Sequence, residues 1–121
     1  MPIVTIELLE DDAEQTPSQP LQPLADKLGS LFGSRPAETW VKVRSLPRNR
    51  YAENGVEVAP SVRPVMVEVI KSNLGPRAEL ASEAELISKL IASHYDRPQE
   101  NVHVIYQTDA AGRIAFGGRL T

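Results

Sequence analysis

Two stretches of the 121-residue chain recur at the same spacing of 62 positions. PIVTIEL begins at Pro2 and is matched by PVMVEVI at Pro64, while SRPAETWVKV begins at Ser34 and is matched by DRPQENVHVI at Asp96. The second pair shares Arg-Pro-x-Glu in register. Two matches at one spacing indicate a duplicated unit, and a duplication constrains the fold more than any single element does.

Each unit reads as a strand, a helix and a second strand. Short segments rich in β-branched residues predict strands at 2–8, 39–46, 65–71 and 101–108. Apolar residues at spacings of three and four predict helices over 21–32 and 80–95. Because strand–helix–strand crossovers are right-handed, the two units predict an α/β fold: a four-stranded mixed sheet with both helices on one face. A ferredoxin-like sandwich has the same element order and stays open as an alternative.

The length fits a single domain over residues 1–121, with pseudo-repeats at about 2–46 and 64–108 and a tail at 109–121. Asn54-Gly55, in the connection between the units, predicts a small hairpin. The tail sequence AGRIAFGGRL predicts a short C-terminal strand with no partner in the four-stranded sheet. That strand and the uncovered sheet face predict an oligomer.

Composition argues against several classes of function. A formal net charge of −3 and a pI near 5.4 disfavour a nucleic-acid surface. Cysteine is absent, and His94 and His103 lie on different predicted elements, so neither a metal site nor a cofactor is predicted. The opening MPIVTIELLEDD lacks a basic region and no apolar run reaches ~20 residues, so we expect no signal peptide and no membrane span. A cytoplasmic protein is the expectation.

The chain resembles the tautomerase superfamily, in particular its members related to macrophage migration inhibitory factor. The resemblance rests on the opening MPIVTIEL, the Arg-Pro turn before the strand at Trp40–Val43, NVHVIYQ after the second helix and GRIAFGGRL in the tail. It covers the whole chain in order and length. It implies a homotrimer of duplicated β-α-β units, an active site near a subunit boundary and an amino-terminal proline, here Pro2, as the catalytic residue.

Removal of Met1 would leave Pro2 with a free secondary amine. A general base works best when its pKa lies near the working pH, and burial against Ile3 and Val4 would lower the pKa of this amine by disfavouring its charged form. The neutral nitrogen could then take a proton from a carbon beside a carbonyl, while nearby cations stabilise the enolate. The predicted function is keto–enol isomerisation of a small carboxylate: a 2-oxo acid, a 2-hydroxydienoic acid or an arylpyruvate-like enol.

Two cations are candidates for binding the substrate. Arg35 precedes the strand at 39–46, in the region where the resemblance places a cationic substrate-binding residue, and a guanidinium fork suits a carboxylate. The alternative is a solvated turn residue, since Arg97 in the other unit shows that Arg-Pro can be a structural turn. Lys71 ends a predicted strand where the resemblance implies pocket-lining backbone groups, and a free surface lysine is the alternative.

His103 stands where the resemblance places a pocket tyrosine, and Ile105 stands where it places an asparagine. His103 could donate to a substrate oxygen or titrate near neutral pH, or it could be a strand histidine at a subunit interface. Tyr106 lies on the opposite side of that strand by alternation, where packing is expected.

The tail carries further candidates. Arg113 and Arg119 could complete the pocket of a neighbouring subunit. Trp40 and Phe116 are expected in an interface core rather than as substrate platforms.

Two other functions stay open. One is a hydratase or dehalogenase, in which cationic Pro2 delivers a proton and another group activates water, although acidic pocket candidates are few. The other is a trimeric binding or signalling protein with a vestigial pocket, which the departures at His103 and Ile105 favour.

Overall fold

The computed structural model describes residues 2–11 and 19–121. Its strands are β1 (Ile3–Glu10), β2 (Trp40–Pro47), β3 (Val65–Ile70), β4 (Val102–Tyr106), β5 (Ala115–Phe116) and β6 (Arg119–Leu120), and its α-helices are α1 (Gln22–Leu31) and α2 (Arg77–Tyr95). Single turns of 3₁₀-helix follow β2 at Arg48–Arg50 and precede β4 at Gln99–Asn101. Met1, whose removal the predicted chemistry requires, lies outside the described residues.

The first four strands form a mixed sheet in the order β2-β1-β3-β4. β1 pairs with β2 in parallel and with β3 antiparallel, and β3 pairs with β4 in parallel. α1 and α2 contact each other, so both helices cover the same face of the sheet. The predicted four-stranded mixed sheet with two helices on one face is confirmed.

The core lies between this sheet and the two helices. Its fully buried side chains are Val4, Ile6 and Leu8 of β1, Leu24 and Leu28 of α1, Val65, Val67 and Val69 of β3, and Ile87 and Ile91 of α2. Burying one such side chain stabilises the fold by about 1.5–3 kcal/mol relative to leaving it exposed. The other sheet face stays open, and Trp40 and Ile105 on it are each 48% exposed.

The strands of the two units are not equivalent at a spacing of 62. Buried side chains occupy positions 4, 6 and 8 of β1 but 65, 67 and 69 of β3. These alternating buried positions are even-numbered in β1 and odd-numbered in β3, so the two strands cannot be related by an even spacing such as 62. A spacing of 61 matches buried positions with buried positions, and the pair Val4–Val41 then corresponds to Val65–Val102. The sequence alignment was wrong by one residue for the strands, and a shift of one position turns every side chain to the other face.

The two connections follow the sequence expectation, with differences in detail. Between the units, the Asn54-Gly55 turn forms, and its hairpin consists of a single antiparallel bridge that joins Glu53 and Val56. The tail strand β5 does not join the four-stranded sheet, as predicted, and it pairs instead with β6 in a separate sheet of two strands. Gly117 and Gly118 between them have φ values of +59° and +85°. Two consecutive residues with positive φ form the tight turn that matches strand twist in a hairpin, so the tail closes on itself.

Candidate functional site

One end of the sheet collects most of the predicted site, and we call it the proline end, defined by Pro2, Trp40 and Lys71. β2 begins there because Ile3 pairs with Trp40, and β3 ends there because Ile3 pairs with Ile70. Each helix joins two parallel strands, so it must run back along the sheet between them. α1 therefore ends, and α2 begins, at the proline end.

Pro2 is buried immediately before β1. Its carbonyl oxygen accepts a hydrogen bond of 3.1 Å from Trp40 N–H, which extends the β1–β2 pairing to the proline. Alternation along β1 places Pro2 on the helix side of the sheet. Lys71 is next in register after the Ile3–Ile70 pair. It therefore lies opposite Pro2 on the neighbouring strand, where paired Cα atoms are about 5 Å apart.

Lys71 is held by two side chains from the helices. Its Nζ lies 2.9 Å from Glu83 Oε2 of α2 and 5.5 Å from the centre of the Phe32 ring, just past the end of α1. Tyr106 donates from its hydroxyl to the other oxygen of Glu83, Oε1, at 2.9 Å. Burial, then the adjacent carboxylate, raises the pKa of Tyr106. Lys71 is therefore a fixed cation of the proline end and not a free surface lysine.

Arg35 lies in the turn between α1 and β2. Its guanidinium NH2 is 2.7 Å from Glu38 Oε1, and its backbone N–H donates to Glu38 Oε2 at 3.0 Å. The backbone hydrogen bond and the guanidinium together lower the pKa of Glu38. The Arg35 side chain is 86% exposed, so a dissolved ligand can reach it.

An open groove of about 630 Å³ separates α1 from the Arg35 turn. The turn that lines it is held by its own side chains. Ser34 Oγ and Thr39 Oγ1 are 2.6 Å apart, and Trp40 donates from Nε1 to the Ala37 carbonyl at 2.9 Å. Arg35 is one of the residues that line this groove.

The tail brings an aromatic ring to the proline end. It starts against β3, where Ala110 N–H donates to the Lys71 carbonyl at 3.0 Å. It ends against β2, where the rings of Phe116 and Trp40 meet edge to face with centroids 5.4 Å apart. The two aromatic residues therefore pack on each other within one chain.

One predicted site residue, His103, is not brought to Pro2 within the chain. His103 pairs with Met66, five positions along β3 from Lys71, which is roughly 16 Å at the rise of a strand. It also lies on the open face, opposite to the helix side. Arg113 donates to Thr108 Oγ1 at 2.9 Å and to the Asp109 carbonyl, so its guanidinium is bound to the tail itself.

Sequence reasoning missed Glu83 and took Tyr106 as packing. The signal for Glu83 was its helical phase, since it precedes Ile87 by four positions and therefore sits on the apolar face of α2. A carboxylate on a buried face needs a partner, and Lys71 and Tyr106 are the partners that the structure supplies.

The opposite end of the sheet, which we call the far end, is defined by Glu10, Arg63 and Arg97. Arg97 donates from NH1 to the Leu9 and Arg63 carbonyls at 3.1 and 2.9 Å, and its NH2 lies 3.1 Å from Glu10 Oε1. Arg63 NH2 reaches Glu10 Oε2 at 3.0 Å. Burial lowers the pKa of Arg97. The charged groups of the far end are therefore paired with groups of the same chain.

Among residues 2–11 and 19–121, no three acidic or histidine side chains are grouped as a metal site requires. In the same ranges, no helix has the length and apolar content needed to cross a membrane.

Several solved structures share this fold. Pt0534 inactivated by 2-oxo-3-pentynoate is 18% identical, with a TM-score of 0.76 over 98% of this chain and 95% of that one. The macrophage migration inhibitory factor homologue from Prochlorococcus marinus is 17% identical, with a TM-score of 0.73 over 98% and 97%. Native fused 4-OT is 15% identical, with a TM-score of 0.71 over 98% and 94%. The chain has the tautomerase fold.

The tautomerase fold is thus confirmed from coordinates, while the sequence diverges widely from these neighbours. No protein-family model and no curated protein matches the sequence. At identities of 18% or less the likeness establishes the fold alone. Residue roles in this member of the fold have to be argued from its own contacts.

Proposed function

We propose that the protein is a tautomerase that uses Pro2 as its general base. The observation that carries the proposal is the placement of Pro2, which is buried at the start of a central strand opposite Lys71. With Met1 removed, the ring nitrogen of Pro2 is a secondary amine in that place. With Met1 retained, the same nitrogen belongs to an amide and has no basic lone pair.

The proposed reaction is a proton transfer within a small acid. Burial disfavours the charged form of an amine, so a fraction of Pro2 is neutral near pH 7 and can accept a proton from the carbon beside a carbonyl. Negative charge then develops on the carbonyl oxygen, and fixed positive groups stabilise it. The protonated ring returns the proton to a different carbon, which completes the isomerisation.

The proposed substrate is a 2-oxo, 2-hydroxydienoic or arylpyruvate-like acid. Arg35 would bind the carboxylate, because its guanidinium is exposed beside the groove and presents a fork of donors. Inactivation of the neighbour Pt0534 by 2-oxo-3-pentynoate supports the 2-oxo acid class.

The proposed assembly is a homotrimer in the cytoplasm. The open sheet face exposes Trp40 and Ile105, which a second copy of the chain would cover. A fused 4-OT neighbour forms an asymmetric trimer. In such an assembly His103, which is remote from Pro2 of its own chain, would be available to the Pro2 of another, and so would Arg113 of the tail.

The test compares two prolines that each precede a central strand. Intact mass first verifies that Met1 is removed, and conversion of an arylpyruvate enol to its keto form is then followed by absorbance. We expect Pro2→Ala to lower kcat/KM by roughly 10²–10⁴, the usual contribution of a general base. Pro64→Ala is the matched control, since Pro64 is also buried but lies at the far end. Unchanged turnover in Pro2→Ala would exclude the proposal.

A binding protein with a vestigial pocket is the second candidate. It is favoured by the pairing of both candidate cations with carboxylates of the same chain, Lys71 with Glu83 and Arg35 with Glu38. Titration calorimetry with a 2-oxo acid separates the two functions. Binding without turnover in protein that has lost Met1 would favour the binding function.

A further inference from the structure

A half-buried ion pair joins the end of β3 to α2 at the proline end. Lys71 and Glu83 are 21% and 18% exposed, so water screens their charges less than it screens a surface pair. The Phe32 ring and the Tyr106 hydroxyl fix the two ends of the pair. Charges in such a setting act on neighbouring ionisable groups through space.

The geometry of the fold places this pair over Pro2. Phe32 follows the end of α1, and Glu83 lies in the second turn of α2, so the Lys71 ammonium sits between the two helix ends. Lys71 is opposite Pro2 in register, and both side chains are on the helix side of the sheet. Paired residues on neighbouring antiparallel strands have Cα atoms about 5 Å apart, so Lys71 and Pro2 are neighbours on a scale shorter than the Debye length of about 10 Å at 0.1 M salt.

Other charges at this end are paired elsewhere or exposed. The ionisable groups of the surrounding elements are Lys71 of β3, Arg77, Glu79 and Glu83 of α2, Tyr106 of β4, Asp109, Arg113 and Arg119 of the tail, and Arg35 and Glu38 of the turn. Arg35 and Glu38 compensate each other at 2.7 Å, and Asp109 accepts from Leu74 N–H at 2.8 Å. The last turn of α1 (28–31) has no ionisable side chain.

We propose that the Lys71–Glu83 pair sets the neutral fraction of the Pro2 nitrogen, with Lys71 disfavouring the protonated ring and Glu83 limiting that effect. Lys71 acts through its field rather than by binding the substrate carboxylate. Glu83 is a positioning residue, since it holds the Lys71 ammonium and does not itself meet the substrate. This proposal deepens the proposed function, on which it rests for the role of Pro2 as the base.

The test is a direct titration of the ring nitrogen. Protein labelled with ¹⁵N-proline and free of Met1 is titrated by NMR as wild type, Lys71→Met and Glu83→Gln. Methionine keeps the apolar stem of the lysine, and glutamine keeps the shape of the glutamate. Lys89→Met and Glu85→Gln are the matched controls, because Lys89 and Glu85 form a pair of 3.0 Å on the same helix but are 54% and 61% exposed.

The two variants should move the Pro2 pKa in opposite directions. Lys71→Met removes a like charge and leaves Glu83 uncompensated, so the pKa rises by roughly one pH unit, and Glu83→Gln lowers it by a similar amount. The control variants should move it by less than about 0.2. An unchanged pKa in Lys71→Met, or shifts of the same sign in both variants, would overturn the proposal. If Lys71→Met does not fold, Glu83→Gln decides alone: a pKa that rises or stays constant refutes the field effect.

Activity separates this proposal from the proposed function. The acid limb of kcat/KM should follow the titrated pKa in each variant. Opposite pKa shifts in a protein without turnover would keep the field effect and reject the tautomerase. Turnover that depends on Pro2 but ignores both variants would keep the tautomerase and reject the field effect.

Discussion

Arg35 and Arg97 stand in the same Arg-Pro-x-Glu sequence, each after a helix and before an edge strand, yet their side chains are 86% and 3% exposed. Arg97 donates to two backbone carbonyls and to Glu10, whereas Arg35 pairs with Glu38 of its own turn. The same turn sequence therefore gives a buried structural arginine, Arg97, at one end of the sheet and an exposed arginine, Arg35, at the other.

The central charges of the two ends also differ in sign. At the spacing of 61 that the burial pattern of the strands supports, Lys71 of the proline end is equivalent to Glu10 of the far end. Glu10 is enclosed by Arg63 and Arg97, while Lys71 is held by Glu83. The two ends therefore differ in the sign of their central charge and in the number of charged partners that compensate it.

Removing each arginine in turn gives the largest expected difference between the two ends. We expect Arg97→Ala to lower the free energy of unfolding by about 3–5 kcal/mol, because it leaves the buried carboxylate of Glu10 with one partner fewer. Arg35→Ala should change it by less than about 0.5 kcal/mol, since the pair it loses is exposed. Urea unfolding measures both. Equal losses would mean that both arginines are structural.

The same arginines should rank in the reverse order in catalysis. Arg35→Ala should raise KM for a 2-oxo acid by about tenfold or more, the effect of losing a charge-assisted contact to the carboxylate, with a smaller change in kcat. Arg50→Ala is the control, because Arg50 is exposed at the far end. A KM that does not differ between the two variants would remove Arg35 from the site.

The tyrosines of the two ends give a smaller effect that depends on pH. Folding raises the pKa of Tyr106 at the proline end and of Tyr95 at the far end above the ordinary value of 10.0. The stability that comes with a raised pKa is present below pH 10 and is lost as the pH rises toward the folded-state value. Tyr106→Phe should therefore unfold less steeply between pH 10 and 11.5 than wild type does, as followed by circular dichroism.

At neutral pH the same substitution should cost stability. Tyr106→Phe removes a hydrogen bond to the Glu83 carboxylate, worth about 1.5 kcal/mol. A variant as stable as wild type at pH 7, with the same alkaline unfolding, would show that the hydroxyl contributes nothing to the proline end.

Local sequence predicted the sheet and the helices, because β-branched runs and leucine spacing report how each segment buries one face. It also placed Pro2 and Lys71 at strand ends. It could not predict the contact of Lys71 with Glu83, because that contact depends on how α2 packs across the end of β3. The spacing of 62 misled for a related reason: residue identity matched, but side-chain alternation in the folded sheet required an odd spacing.

The candidate site residues differ in how far the sequence could predict their positions. Arg35 and Lys71 are set by their own chain, so sequence position is informative about them. His103 lies on the open face, away from Pro2 of its own chain, so a role for it would depend on a neighbouring chain that local patterns do not describe. Arg113 donates to Thr108 and to the Asp109 carbonyl, and these contacts follow the path of the tail rather than a local pattern. The tail hairpin was missed because its only signal was the pair Gly117-Gly118.

The path of the tail has a consequence for how such a molecule can be altered. After β4, the tail donates hydrogen bonds from Ala110 and Ala111 to the backbone just past β3. It then packs the ring of Phe116 against Trp40, the first residue of β2. The tail therefore contacts a strand of each repeated unit, β3 of the second and β2 of the first, and belongs to neither unit. Inserting or deleting residues in the tail would therefore change the surface of the proline end while every strand of the main sheet keeps its register.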